Sequence, residues 1–226
     1  MRVINWSRVG AASGLVFAVL YFVTFFGLQD LDFPPAGSAS AEEIRAFIEQ
    51  ASLPTALAAV GSAVAWTAFL WFIASFRSPG ASESERRLEW VAASAGIMLA
   101  GLSLANVALQ SEVVLHDPTT DDATLLAQWA LYDASGGLSG ITPFLKATFV
   151  AALSIVAVQK EGPMRWLGWL GLAVAGANIL GGIDYAITAD WSLTLHPLLD
   201  LLVFLAWMLL ASLVLLVSSP AKRGAT

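Results

Sequence analysis

Of the 226 residues, 58% are apolar and only 12% are charged, whereas a soluble domain carries about 25% charged residues. A soluble fold of this length could not hide so much apolar surface in its core. The net charge of −6 argues against nucleic acid as a partner, and the absence of cysteine excludes disulfides and thiolate metal sites. The composition therefore predicts an all-α integral membrane protein, forming one domain over residues 1–226.

Apolar stretches along the chain predict the transmembrane helices. A stretch of about 20 residues is long enough to cross about 30 Å of hydrocarbon as a helix. Six stretches of this kind predict a six-helix transmembrane bundle: Val9–Leu28, Pro54–Phe76, Leu88–Gln110, Leu138–Val158, Met164–Ile187 and Pro197–Ser218. No small-residue cleavage site follows the first stretch, so we expect a retained span and not a cleavable signal.

The basic residues predict the orientation of the bundle. Of the eleven Lys and Arg residues, two stand apart: Arg45 in the first outer loop and Lys146 inside a span. The rest fall on one side of the spans: Arg2, Arg8, Arg77, Arg86, Arg87, Lys160, Arg165, Lys222 and Arg223. Because cytoplasmic loops are enriched in Lys and Arg, both termini are predicted to be cytoplasmic.

Two loops on the predicted outer side carry helical patterns. The segment Ser40-Ala-Glu-Glu43 is a capping box, and an apolar face follows it at helical spacing: Ile44, Phe47, Ile48 and Ala51. The segment Asp117-Pro-Thr-Thr120 predicts the start of a second helix, which should run to about Asp133 and stop at Gly136 and Gly137. We therefore expect two short amphipathic outer-loop helices that cover the bundle or lie on the membrane surface.

Lys146 is the most informative polar residue in the spans. It lies about 8 residues, hence about 12 Å, from the outer end of its span. A charge at that depth costs about 3 kcal/mol or more unless it is paired or hydrated, so it indicates a site. The other polar span residues lie in the same outer half: Asn106, Gln110, Asn178, Asp184 and Asp200. Together with Lys146 they predict an outward-facing pocket for a small polar or anionic molecule or a lipid headgroup.

Each of these residues also has a purely structural interpretation. Lys146 could form a buried ion pair with Asp133, Asp184 or Asp200 that only fixes helix packing. The three amide side chains could serve as interhelical hydrogen bonds. In that case the protein would be a non-catalytic membrane subunit or a component of an oligomer.

A metal site is a further alternative, centred on His196-Pro-Leu-Leu-Asp200. His196 and Asp200 could ligate one ion with help from Asp184 and His116, and an intramembrane hydrolase acting on a lipid-like substrate would follow. However, Pro197 is predicted to be the first helical residue, which leaves His196 at the cap and Asp200 in the first turn. The capping interpretation needs no metal, so we expect a binding protein rather than an enzyme, and the sequence identifies no cofactor.

One inner turn and one outer loop carry a family resemblance. The turn is Gly162-Pro-Met-Arg-Trp-Leu-Gly-Trp-Leu-Gly-Leu172, and the loop is Ser38-Ala-Ser-Ala-Glu-Glu-Ile-Arg-Ala-Phe47. Both segments, with the span pattern, resemble a broad group of uncharacterised bacterial six-span membrane proteins. The resemblance implies a multi-pass protein of the bacterial plasma membrane, and it implies no activity and no catalytic residue.

Overall fold

The computed structural model describes residues 6–27, 39–75, 80–114, 121–188 and 196–218. These residues form six helices: α1 (Trp6–Gly27), α2 (Ala41–Ala74), α3 (Glu83–Val114), α4 (Asp122–Val158), α5 (Pro163–Thr188) and α6 (His196–Ser218). Each helix contains a stretch long and apolar enough to cross a membrane. The all-α class is therefore confirmed, and each of the six predicted spans lies in a helix that could cross a membrane.

The helices pack in chain order. Each helix contacts the next one along the chain, α6 returns to α1, and α2 also touches α4. Neighbouring helices run antiparallel, so α2, α4 and α6 all begin on one side, which we call the distal side. The basic residues predict this side to be the outer one. On the opposite, proximal side, Lys160 in the α4–α5 turn pairs with Glu85 at the start of α3.

The two longest helices, α2 and α4, are much longer than a membrane span. α2 has 34 residues and α4 has 37, so both exceed about 50 Å in length, compared with about 30 Å of hydrocarbon. Their N-terminal parts are the two amphipathic segments that the sequence predicts as separate outer-loop helices. The predicted separation is wrong, because each amphipathic segment continues directly into its span. The predicted start at Asp117 lies outside the described residues.

The predicted helix stop at Gly136 and Gly137 is also wrong. Glycine lowers helix propensity by about 1 kcal/mol per residue relative to alanine, but packing can outweigh that loss. The Tyr185 hydroxyl on α5 donates to the Gly136 carbonyl at 3.2 Å, and Ser135 and Gly140 on either side are buried. This contact with α5 holds the glycine segment in the helical conformation.

Proline lies inside both long helices. Pro143 in α4 has no N–H, so the carbonyl of Ser139 loses its usual helical donor. The Thr142 hydroxyl donates to that carbonyl at 2.8 Å, which satisfies it within the membrane, where water is absent. Pro54 in α2 likewise lies within a continuous helix and does not start one. A proline in these spans is therefore compatible with an unbroken helix.

The distal parts of α2 and α4 form a layer of their own, residues 41–50 with 122–135, which we call the distal layer. Its core is a buried apolar cluster: Ile44, Ile48, Leu125 and Trp129. The Arg45 guanidinium pairs with Asp122 at 2.6 Å across the two helices. The predicted Ser40–Glu43 capping box is confirmed, and Asp121 caps α4. The distal layer thus has the apolar core and polar rim of a small water-exposed helix pair.

The membrane part of the bundle has an aromatic centre. Its rings come from α1, α2, α4 and α6, and the centroids of neighbouring rings lie within about 6.5 Å: Phe17, Trp66, Phe69, Phe149, Phe204 and Trp207. The outward faces instead present large apolar side chains, among them Val19, Val60, Trp71 and Leu180. Apolar residues on both faces of long helices indicate lipid outside and a dry core inside.

Candidate binding site

Lys146 of α4 and Asp200 of α6 form an ion pair at membrane depth. Lys146 Nζ donates to Asp200 Oδ2 at 2.8 Å, and the side chains are only 10% and 5% exposed. Of the three carboxylates considered from the sequence, the structure pairs Lys146 with Asp200. Transferring two charges from water to a low-dielectric interior is unfavourable, and a good pair geometry is needed to offset it.

The approach of α5 and α6 explains why Asp200 is so well buried. Asp200 is the fifth residue of α6, one position beyond the first turn in which the sequence places it. A methyl group at Gly181 of α5 would lie 3.5 Å from Cβ of Asp200. This is an ordinary van der Waals distance, so α5 packs directly against Asp200 at Gly181.

Two buried acceptor atoms, one on α6 and one on α5, have no hydrogen-bond donor among the described residues. One is Asp200 Oδ1, the carboxylate oxygen that Lys146 does not bond. The other is Oδ1 of Asn178, a fully buried residue of α5 whose Nδ2 donates to the Val174 carbonyl at 2.9 Å. Asn178 lies one turn from Gly181 on the same helix face. An acceptor left unsatisfied costs about 1–3 kcal/mol, so both oxygens favour a bound donor.

Aromatic side chains surround the pair. The Phe204 ring centroid lies 6.0 Å from Lys146 Nζ, which is compatible with a cation–π contribution. Tyr21 of α1 lies within electrostatic range of the Asp200 carboxylate. The aromatic centre of the bundle begins directly on the proximal side of the pair. The site thus lies at the proximal end of the distal half of the bundle, next to the aromatic centre.

The other predicted site residues lie elsewhere. Asn106 of α3 donates to the Ser139 hydroxyl of α4 at 2.9 Å, about two turns distal to Lys146. Gln110 lies one turn further along α3 and is partly buried. Asp184 of α5 is partly buried one turn distal to Gly181. The structure therefore brings together Lys146 and Asp200, and it gives Asn106 the interhelical hydrogen bond that the sequence allowed.

The metal alternative finds no support in the part of the chain that the structure describes. Within it, no three His, Cys, Asp or Glu side chains converge to hold an ion. His116 and the side chain of His196 lie outside the described residues. The metal role of Asp184 and Asp200 thus has no third described ligand.

Two apolar grooves lie on the lipid-facing surface and not at the ion pair. One, of about 380 Å³, runs between α3 and α4 beside Trp90, Met98 and Leu145, and the other, of about 410 Å³, follows one face of α1. Neither includes Lys146 or Asp200 in its lining. Their apolar lining makes them places for acyl chains rather than for a polar molecule.

Sequence reasoning missed two contributors to the site. Tyr21 and Phe204 belong to apolar runs in which aromatic residues are ordinary membrane-facing or core residues, so nothing in the sequence marks them. The Gly181-Gly182 pair did carry a signal, because small residues allow close helix approach. Which helix would approach there could not be read from one helix alone.

No family model, curated protein or solved structure matches this chain. The resemblance seen in the inner turn and the first outer loop therefore stays a prediction.

Proposed function

We propose that this multi-pass membrane protein binds a small polar molecule or a lipid headgroup at Lys146, Asp200 and Asn178, in the outer half of the bundle. One observation carries the proposal. The buried ion pair leaves one carboxylate oxygen, Asp200 Oδ1, without a donor among the described residues, and the buried Asn178 Oδ1 on the neighbouring helix α5 has none there either. A polar molecule with hydrogen-bond donors would satisfy both.

Physical cost argues for a site over a purely structural pair. Replacing a buried ion pair by well-packed apolar residues is often neutral or stabilising, so Lys146 and Asp200 are a poor choice for packing alone. The α4–α6 contact already has apolar packing nearby, from Phe149, Phe204 and Trp207. Ionisable groups in a span mark ligand or ion sites by default. Binding is the function that this arrangement supports best.

The direction of access follows from the charge pattern. The positive-inside rule predicts the distal side to face outward, with both termini in the cytoplasm. The polar residues lie on that side of the aromatic centre, which would block a continuous path to the cytoplasm. We therefore expect a ligand to enter from the outer side or the outer leaflet, as in a receptor or a binding subunit.

Native mass spectrometry of the gently purified protein tests this function. The variant Lys146→Met/Asp200→Leu removes both charges while keeping apolar volume, so it should remain folded. Ser62→Ala is the matched control, since it deletes a buried hydroxyl that donates to Thr24 at the α1–α2 contact and does not bond Lys146, Asp200 or Asn178. We expect a stoichiometric adduct on the wild type and on Ser62→Ala that is absent from the double variant. An identical adduct pattern in all three proteins, or a bare wild-type mass, would overturn the proposal.

A further inference from the structure

The net charge of the site limits the ligands that it accepts. Lys146 and Asp200 sum to zero, and no other charged group contacts them among the described residues. An anion or a cation bound beside this pair would leave a net charge in a low-dielectric interior, which is strongly unfavourable. A ligand without net charge avoids that penalty. This restricts the predicted anionic or polar molecule to a neutral or zwitterionic one.

The hydrogen-bonding inventory limits the ligand further. Asp200 Oδ1 and Asn178 Oδ1 need donors. An ammonium such as that of Lys146 has three N–H groups, and its bond to Asp200 Oδ2 at 2.8 Å is the one that the described residues provide. The site therefore offers unused acceptors on one side and unused donors on the other. A molecule carrying a donor-rich cation and an acceptor-rich anion complements both.

We propose that the ligand is a zwitterion with a primary ammonium group and that it binds by exchanging ion-pair partners. This inference rests on the proposed function and names the ligand class of the same site. The bond between Lys146 and Asp200 opens, the ligand ammonium donates to Asp200 and to Asn178 Oδ1, and the ligand anion accepts from Lys146. The net charge of the site stays zero throughout. Both orphan oxygens gain donors, which a quaternary ammonium could not supply because it has no N–H.

The same headgroup chemistry has two sources, a free zwitterion or phosphatidylethanolamine. The position of the site is compatible with a lipid, since Leu199 and Leu202 on either side of Asp200 are 50% and 38% exposed at the lipid-facing surface. A headgroup could therefore reach Asp200 from the outer leaflet while its acyl chains stay in the membrane. A free zwitterion would instead enter from the water phase.

A comparison of ethanolamine and choline headgroups tests whether the ligand binds through a primary ammonium group. The full-length protein is presented with glycerophosphoethanolamine or glycerophosphocholine in detergent, and with phosphatidylethanolamine or phosphatidylcholine in nanodiscs, and bound ligand is measured by native mass spectrometry. We expect the primary ammonium form to bind at least about tenfold more tightly, because each charge-assisted hydrogen bond contributes about that factor or more. Asn178→Leu should weaken this preference, and Ser62→Ala should leave it intact.

The outcomes separate this inference from the proposed function. Preferential binding of glycerophosphoethanolamine supports a headgroup site open to water, and preference seen only with the intact lipid supports the lipid source. Equal binding of the ethanolamine and choline forms, lost in Lys146→Met/Asp200→Leu, would overturn the primary ammonium while the site stands. If no adduct is lost in Lys146→Met/Asp200→Leu, both the primary ammonium and the proposed function would be overturned.

Discussion

Helix α4 carries two ion pairs that look alike and differ in environment. In the distal layer, Asp122 accepts from Arg45 of α2 at 2.6 Å, and in the membrane Lys146 donates to Asp200 of α6 at 2.8 Å. The first pair is 31% and 70% exposed, and the second is 10% and 5% exposed. Nearly equal distances therefore join two pairs of very different solvation.

The N···O distance alone therefore says little about what an ion pair does. An exposed pair is screened by water and contributes about 0–1 kcal/mol. In a buried pair each charge interacts with its partner instead of with water. Removing one partner therefore leaves the other charge uncompensated. The distal pair is accounted for by helix–helix docking. The buried pair is a costly way to dock two helices, which is why it indicates a site.

The largest effect is expected from breaking the buried pair. Lys146→Met or Asp200→Leu alone leaves one buried charge without its partner and should lower the free energy of unfolding by about 3–5 kcal/mol. The double variant should return to within about 1 kcal/mol of the wild type, since it leaves no unpaired charge. Reversible unfolding of the wild type, the two single variants and the double variant in mixed detergent measures the coupling free energy between Lys146 and Asp200. Single variants as stable as the wild type would show that water hydrates the pair.

A much smaller effect is expected from breaking the exposed pair. Arg45→Ala should lower the stability of the distal layer by at most about 1 kcal/mol, and less at high salt, because surface charges are screened. Hydrogen exchange of residues 41–50 at low and high ionic strength measures this. Arg87→Ala is the matched control, since it breaks the exposed pair with Glu83 on the proximal side. A loss of protection in Arg45→Ala that spreads into the spans would contradict a merely local role.

The sequence was sufficient for the spans, because membrane hydrophobicity acts on each helix separately. It was insufficient for the partner of Lys146. Asp133, Asp184 and Asp200 all lay in the outer half, and the choice among them depends on how α4, α5 and α6 pack around Gly181. That arrangement is a property of three helices together. Asn106 shows the same limit, since its partner Ser139 is one of many small polar residues in the spans.

The length of α4 was mispredicted for a different reason. In water, Gly136 and Gly137 would favour a helix end, because each gives up helix propensity. In this protein Tyr185 bonds the Gly136 carbonyl, and the apolar cluster of the distal layer holds the helix on the other side of the glycines. Tertiary packing therefore overrides the local signal at these glycines.

Acid should affect the first turns of the helices that begin with a capping carboxylate, and this is the smallest effect we expect. Hydrogen bonds from the Ser40 backbone N–H and then its hydroxyl lower the pKa of Glu43 below its ordinary value of 4.5, and bonds from the Thr124 hydroxyl and N–H lower the pKa of Asp121 below 3.8. A carboxylate with a lowered pKa contributes stability that is complete above its ordinary pKa and disappears as pH falls through the lowered value. Hydrogen-exchange protection, corrected for intrinsic rates, should therefore decrease below about pH 4.5 in the first turns of α2 and α4. The first turn of α3 should lose protection at lower pH, because the hydrogen bond from Lys160 lowers the pKa of Glu85 to about 2. Glu43→Gln should remove the α2 part of this dependence, and an unchanged pH profile in that variant would mean that the capping carboxylate does not control the end of the helix.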